Sequence, residues 1–248
     1  YSLMWFAAFI CGVWLMTRIG RRDGLTDDQL TAMLFYVFFG TLIGARLGHC
    51  VFYEWGYYKD HLLEMILPVQ FSPKFRITGY EGLASHGAAI GIVVAMLLFA
   101  RKIKKPFLWI MDRLCIVVAL GGMFIRLGNF FNSEIIGKPT GSSFGVIFKR
   151  LGEDFPRHPA QLYEAFGYLI LFFVLWVLYK KGYGQKVGFL FGIFLIALFT
   201  IRFVIEFLKE NQVAFEDALP LNMGQLLSIP FILAGGVILY FSQKQSRK

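Results

Sequence analysis

The sequence predicts an all-α, polytopic membrane protein with about seven transmembrane helices. Three observations support that class. The 248-residue chain is 57% hydrophobic and 18% aromatic but only 17% charged, with a mean hydropathy of +0.60. Soluble domains carry about 25% charge, and one soluble core of this length could not hide so much apolar surface. The apolar residues also fall in long blocks, and Lys and Arg gather in alternate loops.

The blocks run in order at roughly 1–17, 30–55, 83–100, 107–131, 160–179, 187–208 and 222–241. Each is long enough to cross about 30 Å of hydrocarbon as a helix. The first is short because the chain opens at Tyr1, which is not an initiator methionine, so residues are expected upstream. Segment 62–71, LLEMILPVQF, is too short to span and contains Pro68; it is expected to be interfacial or re-entrant. No linker or low-complexity stretch divides the chain, so a single domain over residues 1–248 is expected.

Loop charge sets the orientation. Loops 18–29, 101–106 and 180–186 with the tail 242–248 hold 13 Lys/Arg in 32 residues. The opposite loops, 56–82, 132–159 and 209–221, hold 8 in 68. The first set is therefore expected in the cytoplasm, with the start of the chain periplasmic and its tail cytoplasmic. The net charge of +9 then reads as basic cytoplasmic loops and affinity for anionic lipid rather than for nucleic acid. Cys11, Cys50 and Cys115 all lie in predicted spans with no CxxC, and read as small apolar residues, neither a disulfide framework nor a metal site. GxSxG, HExxH and Walker motifs are missing, so no metal or nucleotide cofactor is expected.

The orientation gives each polar residue a depth. Arg46 and His49 fall in the outer half of the second span, and Ser85 and His86 near the outer end of the third. Arg126, Asn129 and Asn132 end the fourth, with Glu134 just beyond. His158, Gln161, Tyr163 and Glu164 open the fifth; Arg202 and Glu206 come late in the sixth; Asn222 and Gln225 open the seventh. The inner halves are almost purely apolar apart from Arg113. Intramembrane ionisable residues are costly and line cavities or sites, so this recurrence on one side predicts a shared polar cavity toward the outer leaflet. Taken singly, each residue has a plainer explanation. Arg46 could snorkel to headgroups, His49 could bond a carbonyl, and Arg202 with Glu206 could form an i,i+4 surface pair.

Arg126, Asn129 and Asn132 are spaced by three along one drifting helix face. A guanidinium offers a planar fork of donors for phosphate, and the amides add further donors. Gly121, Gly122 and Gly128 allow close approach of a helix or ligand. The GARLG of residues 44–48 is echoed by FIRLG at 124–128, a weak hint of two related outward spans. His86, in GLASHGAAIGI, could take a proton near neutral pH. Ser85 does not make a hydrolase dyad with it, since adjacent helix residues point apart.

Together these segments resemble the phosphatidylglycerol–prolipoprotein diacylglyceryl transferase family. The resemblance rests on RLGNFFNSEIIGKPTG (126–141), SHGAAIG (85–91), HPAQLYEA (158–165), RFVIEF (202–207), MGQLLSIP (223–230) and YSLMWF (1–6), in family order over nearly the whole chain. It implies a bacterial cytoplasmic-membrane enzyme. Such an enzyme moves the sn-1,2-diacylglyceryl group of phosphatidylglycerol to the thiol of a lipobox cysteine in a preprolipoprotein, releasing glycerol phosphate. It further implies that Arg126 and Arg202 hold the phosphate, with Glu206 fixing the rotamer of Arg202. Asn129, Asn132, Glu134, Gly137 and Tyr1 would complete the lipid site. Arg46, His158, Gln161, Tyr163, Glu164 and Gln225 would support it. His86 matches the motif histidine and would accept the thiol proton, or else only orient lipid while phosphate or water takes it.

The chain departs from the family in three places. Leu198 stands where a tyrosine is common one turn before Arg202, FLKENQVAFED replaces an arginine- and proline-bearing stretch, and Ser133 replaces a frequent glycine. Different classes stay open on the residues alone: an outward-facing transporter, a lipid-binding or scaffold protein, and another phospholipid-headgroup transferase. A transporter would need polar groups through both halves of its spans.

Overall fold

Every apolar block of the sequence forms a helix. The computed structural model describes residues 2–67, 69–71, 75–77, 79, 82–210 and 220–245. Seven helices are long and apolar enough to cross a membrane. They are α1 (Ser2–Arg22), α2 (Asp27–Phe52), α5 (Ser85–Ile103), α6 (Phe107–Asn132), α7 (Ala160–Lys180), α8 (Phe189–Glu206) and α9 (Met223–Gln245). Between α2 and α5 lie two short helices, α3 (Trp55–Tyr58) and α4 (Leu62–Ile66), and a two-stranded antiparallel ladder of β1 (Val69–Gln70) and β2 (Arg76–Ile77). The segment around α4 does not span, as its length requires. Phe6, Trp14, Phe38, Ile90, Phe173 and Leu233 on the long helices are all exposed. Such faces would be unstable in water and suit contact with lipid.

The chain divides into two compact units, residues 21–110 and residues 1–20 with 111–248. In the first, α2 begins with a capping box. Gln29 N donates to Thr26 Oγ1 at 3.2 Å and Thr26 N to Gln29 Oε1 at 3.1 Å, satisfying two donors that a helix start leaves open. Asp27 and Asp28 sit favourably in its first turn. Helices α2 and α5 pack backbone to backbone: a Cβ at Gly44 would strike the Gly87 carbonyl, and one at Gly91 the Gly40 carbonyl. Membrane helices associate through such close contact because lipid supplies no hydrophobic drive.

In the second unit, an apolar core joins Leu15 and Ile19 of α1, Cys115, Ile116 and Ala119 of α6, Leu171 and Leu175 of α7, and Leu190 and Phe194 of α8. Buried Asp112 caps α8, accepting from Gly188 N at 2.6 Å and Phe191 N at 2.8 Å. A carboxylate at a helix N-terminus completes open donors and meets the positive end of the dipole. Cys50 and Cys115 are buried, Cys11 is half-buried, and all three are free.

The stretch between α6 and α7 folds back on the end of α8. Lys138 N donates to Leu208 O at 2.8 Å, and His158 N to Lys138 O at 3.0 Å. Arg157 pins it, reaching Glu153 at 2.6 and 2.7 Å, Glu210 at 2.7 Å and Gly137 O at 3.2 Å.

Candidate functional site

The ends of α6, α7 and α8 and the start of α9 gather the polar residues of the larger unit. Arg126 lies in the last turns of α6, and its Nε stands 3.0 Å from Glu164 Oε2 of α7. The N–H does not point along that line, so Glu164 Oε2 has no hydrogen-bond partner among the described residues. The second Glu164 oxygen accepts from Lys209 Nζ at 2.9 Å, and the same ammonium donates to Glu206 Oε2 at 2.9 Å. Glu164 is 0% exposed and Lys209 2%. Buried charges persist only when paired in this way.

Glu206 therefore serves Lys209, not Arg202. The i,i+4 pairing expected from sequence does not form, because Lys209, three residues on, is placed between two carboxylates. Arg202 makes no hydrogen bond or ion pair with the described residues, and its Nε is buried without a partner. Tyr168 of α7 is buried with its ring against Gly122, one turn before Arg126 on α6. The start of α9 presses on Glu206, where a Cβ at Gly224 would lie 2.5 Å from the carboxyl carbon. Asn222 and Gln225 cap α9 reciprocally: Gln225 N donates to Asn222 Oδ1 at 2.9 Å, and Asn222 N to Gln225 Oε1 at 3.1 Å.

Beside this cluster the asparagines converge on Glu134. Asn129 Nδ2 donates to one carboxylate oxygen at 2.9 Å and Asn132 Nδ2 to the other at 3.0 Å. Asn129 Oδ1 stands 3.5 Å from the Arg126 guanidinium, and Gln161 Nε2 donates to the Glu134 carbonyl at 2.6 Å. Ser133 and Ile135, on either side, hold φ of 57° and 55°. The left-handed region disfavours side chains, β-branched ones most. A glycine at position 133 would adopt this φ without that cost. The strain persists because bonds on three sides fix Glu134.

The structure brings together Arg126, Asn129, Asn132, Glu134, Gln161, Glu164, Glu206 and Gln225. Gly137 sits where a Cβ would strike the His158 carbonyl, and His158 Nδ1 lies 3.3 Å from the Tyr163 hydroxyl. His86 and Arg46 belong to the other unit. His86 is exposed in the first turn of α5. Arg46 is buried and holds the excursion between α2 and α5, donating to Tyr58 OH at 3.0 Å and to the carbonyls of Glu64 at 2.9 Å and Met65 at 3.3 Å. It borders a polar cavity of about 480 Å³ lined also by His49, Glu54, Tyr57, Glu64 and Arg76. Tyr1 and the side chain of Ser85 lie outside the described residues.

Sequence reasoning missed Lys209, Tyr168 and Asp112. Lys209 continues the i,i+4,i+7 series of Arg202 and Glu206, the one signal that could have found it. Among the described residues the arrangement is a largely buried cluster with more positive than negative side chains, in which Arg202 Nε has no hydrogen-bond partner.

The family model for Prolipoprotein diacylglyceryl transferase matches residues 1–241. Among curated relatives, the phosphatidylglycerol–prolipoprotein diacylglyceryl transferase of Bacteroides fragilis is 48% identical over 99% of this chain and 89% of its own length. Those of Tolumonas auensis and Chloroherpeton thalassium are 43% and 39% identical over 100% of this chain and 92% and 89% of theirs.

Proposed function

The chain belongs to the prolipoprotein diacylglyceryl transferase family. From that premise we propose that it transfers the sn-1,2-diacylglyceryl group of phosphatidylglycerol to the thiol of a preprolipoprotein lipobox cysteine. It is a multi-pass membrane transferase of the first step of lipoprotein maturation. The donor and acceptor classes are those in the names of its relatives.

One observation carries the site assignment. Among the described residues, Arg126, Arg202 and Lys209 gather with Glu164 and Glu206, and Arg202 Nε has no hydrogen-bond partner. An excess of positive charge in such a half-buried cluster favours a bound anion. A phosphodiester supplies one negative charge and oxygens that suit a guanidinium fork. Lys209 is engaged by two carboxylates, which leaves the arginines to meet the ligand.

In the reaction the thiol sulfur attacks the glyceryl carbon that carries the phosphate. A carbon–sulfur bond forms, the carbon–oxygen bond breaks, and its electron pair leaves on the phosphate oxygen. Arg126 and Arg202 stabilise the charge that develops there. Asn129, Asn132 and Glu134 border the headgroup, with Glu134 as acceptor for glycerol hydroxyls; Gly137 and Tyr1 are assigned to the same lipid site. His86 takes the thiol proton, a thiol having a pKa of about 8.5 and the thiolate being the nucleophile. Within the larger unit His158, Gln161, Tyr163, Glu164 and Gln225 support these groups, while Arg46 supports the excursion between α2 and α5.

The loop charges favour a bacterial cytoplasmic membrane with the chain start periplasmic, the tail cytoplasmic and the site toward the outer leaflet. The family match over residues 1–241 favours one transferase domain. The test is transfer in detergent. Purified protein is mixed with phosphatidylglycerol and a lipobox peptide, and mass spectrometry looks for the diacylglyceryl thioether. A product that disappears with a Cys→Ser peptide and with Arg126→Ala is expected. A folded protein that makes no thioether with phosphatidylglycerol would overturn the assignment.

A further inference from the structure

Polar contacts between the end of α6 and the start of α7 close a ring. Gln161 Nε2 donates to the Glu134 carbonyl at 2.6 Å. The Glu134 carboxylate accepts from Asn129 at 2.9 Å. Asn129 Oδ1 stands 3.5 Å from the Arg126 guanidinium, and Arg126 Nε stands 3.0 Å from Glu164. Glu164 follows Gln161 by three positions on α7, which puts both on one helix face. Among the described residues, four buried side-chain nitrogen or oxygen atoms have no hydrogen-bond partner. Two of them belong to this ring, Gln161 Oε1 and Glu164 Oε2, and a third is Arg202 Nε of the same cluster.

The two oxygens in the ring differ. Glu164 Oε2 has the Arg126 guanidinium beside it and is answered by charge. Gln161 is neutral, so only a hydrogen-bond donor can answer its oxygen. The short bond to a carbonyl also fixes the amide, since the nitrogen must face Glu134 and the oxygen must turn away from it. Gln161 is 0% exposed, and a buried acceptor left unsatisfied is costly. The missing donor must come from outside the chain. A phosphodiester offers only acceptor oxygens, whereas a glycerol headgroup carries two hydroxyls. We propose that Gln161 Oε1 accepts a hydrogen bond from a headgroup hydroxyl of the donor lipid, so that Gln161 selects a hydroxyl-bearing headgroup. This rests on the phosphatidylglycerol reading above. The arginines meet the phosphate, which other anionic phospholipids share, and Gln161 reads the alcohol beyond it. A lipid without the hydroxyl leaves the amide oxygen buried and unpaired, and sites built to bond a hydroxyl reject analogues that lack it in this way.

The test compares two lipids in the detergent transfer assay. Phosphatidyl-1-propanol keeps the three carbons and the phosphodiester charge of phosphatidylglycerol but has no headgroup hydroxyl. Wild type is expected to favour phosphatidylglycerol by about 10–100-fold in kcat/KM. Gln161→Met keeps the side-chain length and removes the acceptor, and is expected to shrink that preference by about 10-fold. Gln161→Glu keeps an acceptor oxygen but loses the donor to the Glu134 carbonyl, and is expected to retain the preference. The two lipids carry the same charge, so a general loss of activity or the added carboxylate cancels in the ratio. A Gln161→Met protein with the wild-type preference would overturn the proposal. A preference lost equally in both variants would also overturn it, showing that the glutamine acts through Glu134. Wild type that uses both lipids equally would overturn it too, with water as the donor to the amide and the transferase reading intact. Wild type that makes no thioether with phosphatidylglycerol would overturn both. If the methionine variant does not fold, the glutamate variant decides: retained preference is expected, and its loss would overturn the proposal.

Discussion

Lys209→Met removes the one cation that joins two buried carboxylates. In the native protein its ammonium sits 2.9 Å from both Glu164 Oε1 and Glu206 Oε2. After the substitution Glu164 keeps Arg126 at 3.0 Å, but Glu206, 6% exposed, loses the only charged partner it has among the described residues. Removing one member of a buried pair costs about 3–5 kcal/mol, because the remaining charge stays desolvated. Methionine fills a similar volume, so little of that loss comes from packing. The expected loss of unfolding free energy in detergent is about 3–5 kcal/mol. The double variant Lys209→Met/Glu206→Gln should recover about 1–3 kcal/mol of it as coupling energy. Equilibrium unfolding of wild type, both singles and the double closes the cycle. A Lys209→Met protein within about 0.5 kcal/mol of wild type, or strict additivity, would refute the buried bridge.

Four further outcomes are expected. Arg126→Ala should lower kcat/KM for transfer by about 10²–10³-fold, and Arg126→Lys should stay poor because an ammonium lacks the fork; near-normal transfer by either would remove Arg126 from the site. His86→Ala should fold and bind phosphatidylglycerol yet lose thioether formation, and transfer at the wild-type rate would exclude it as the base. Ser133→Gly should raise unfolding free energy by about 1 kcal/mol by relieving a left-handed φ, whereas a destabilised variant would show that the serine side chain contributes more than its backbone costs. Glu153, hydrogen-bonded to Arg157, is held below the usual carboxylate range. The pinning of residues 138–157 should therefore be complete above about pH 4.5 and weaken as pH falls through the lowered value. Amide exchange in that stretch that does not change on acidification would contradict this.

The helices were the most legible part, because an apolar block of spanning length has few alternatives in lipid. All seven blocks became helices, and even the non-spanning stretch at 62–71 was readable from its length. The convergence of Asn129 and Asn132 was legible for the same geometric reason: a spacing of three keeps two amides on one face, and Glu134 follows within reach. Lys209 was not. It falls after the apolar run of α8 and counts as a loop residue, while its partner Glu164 is 45 positions away. Sequence spacing carries no information about such a pair. The same limit misassigned Glu206 to Arg202, which is near in sequence, when Lys209 competes for it in space. Tyr168 was hidden differently, as one more aromatic residue in an apolar span, and only the ring's seat on Gly122 separates it from the lipid-facing ones. Asp112 was overlooked beside Arg113, since its service to α8 crosses 76 residues.

In the proposed site the excess positive charge of Arg126 and Arg202 holds the donor's phosphate. Retention of phosphatidylglycerol in native mass spectra tests it most directly, with wild type, Arg126→Ala and Arg202→Ala each offered an equal mixture of phosphatidylglycerol and phosphatidylethanolamine. Selective retention of phosphatidylglycerol by wild type and its loss in both variants are expected. Equal retention by all three proteins, or no preference between the two lipids in wild type, would contradict it.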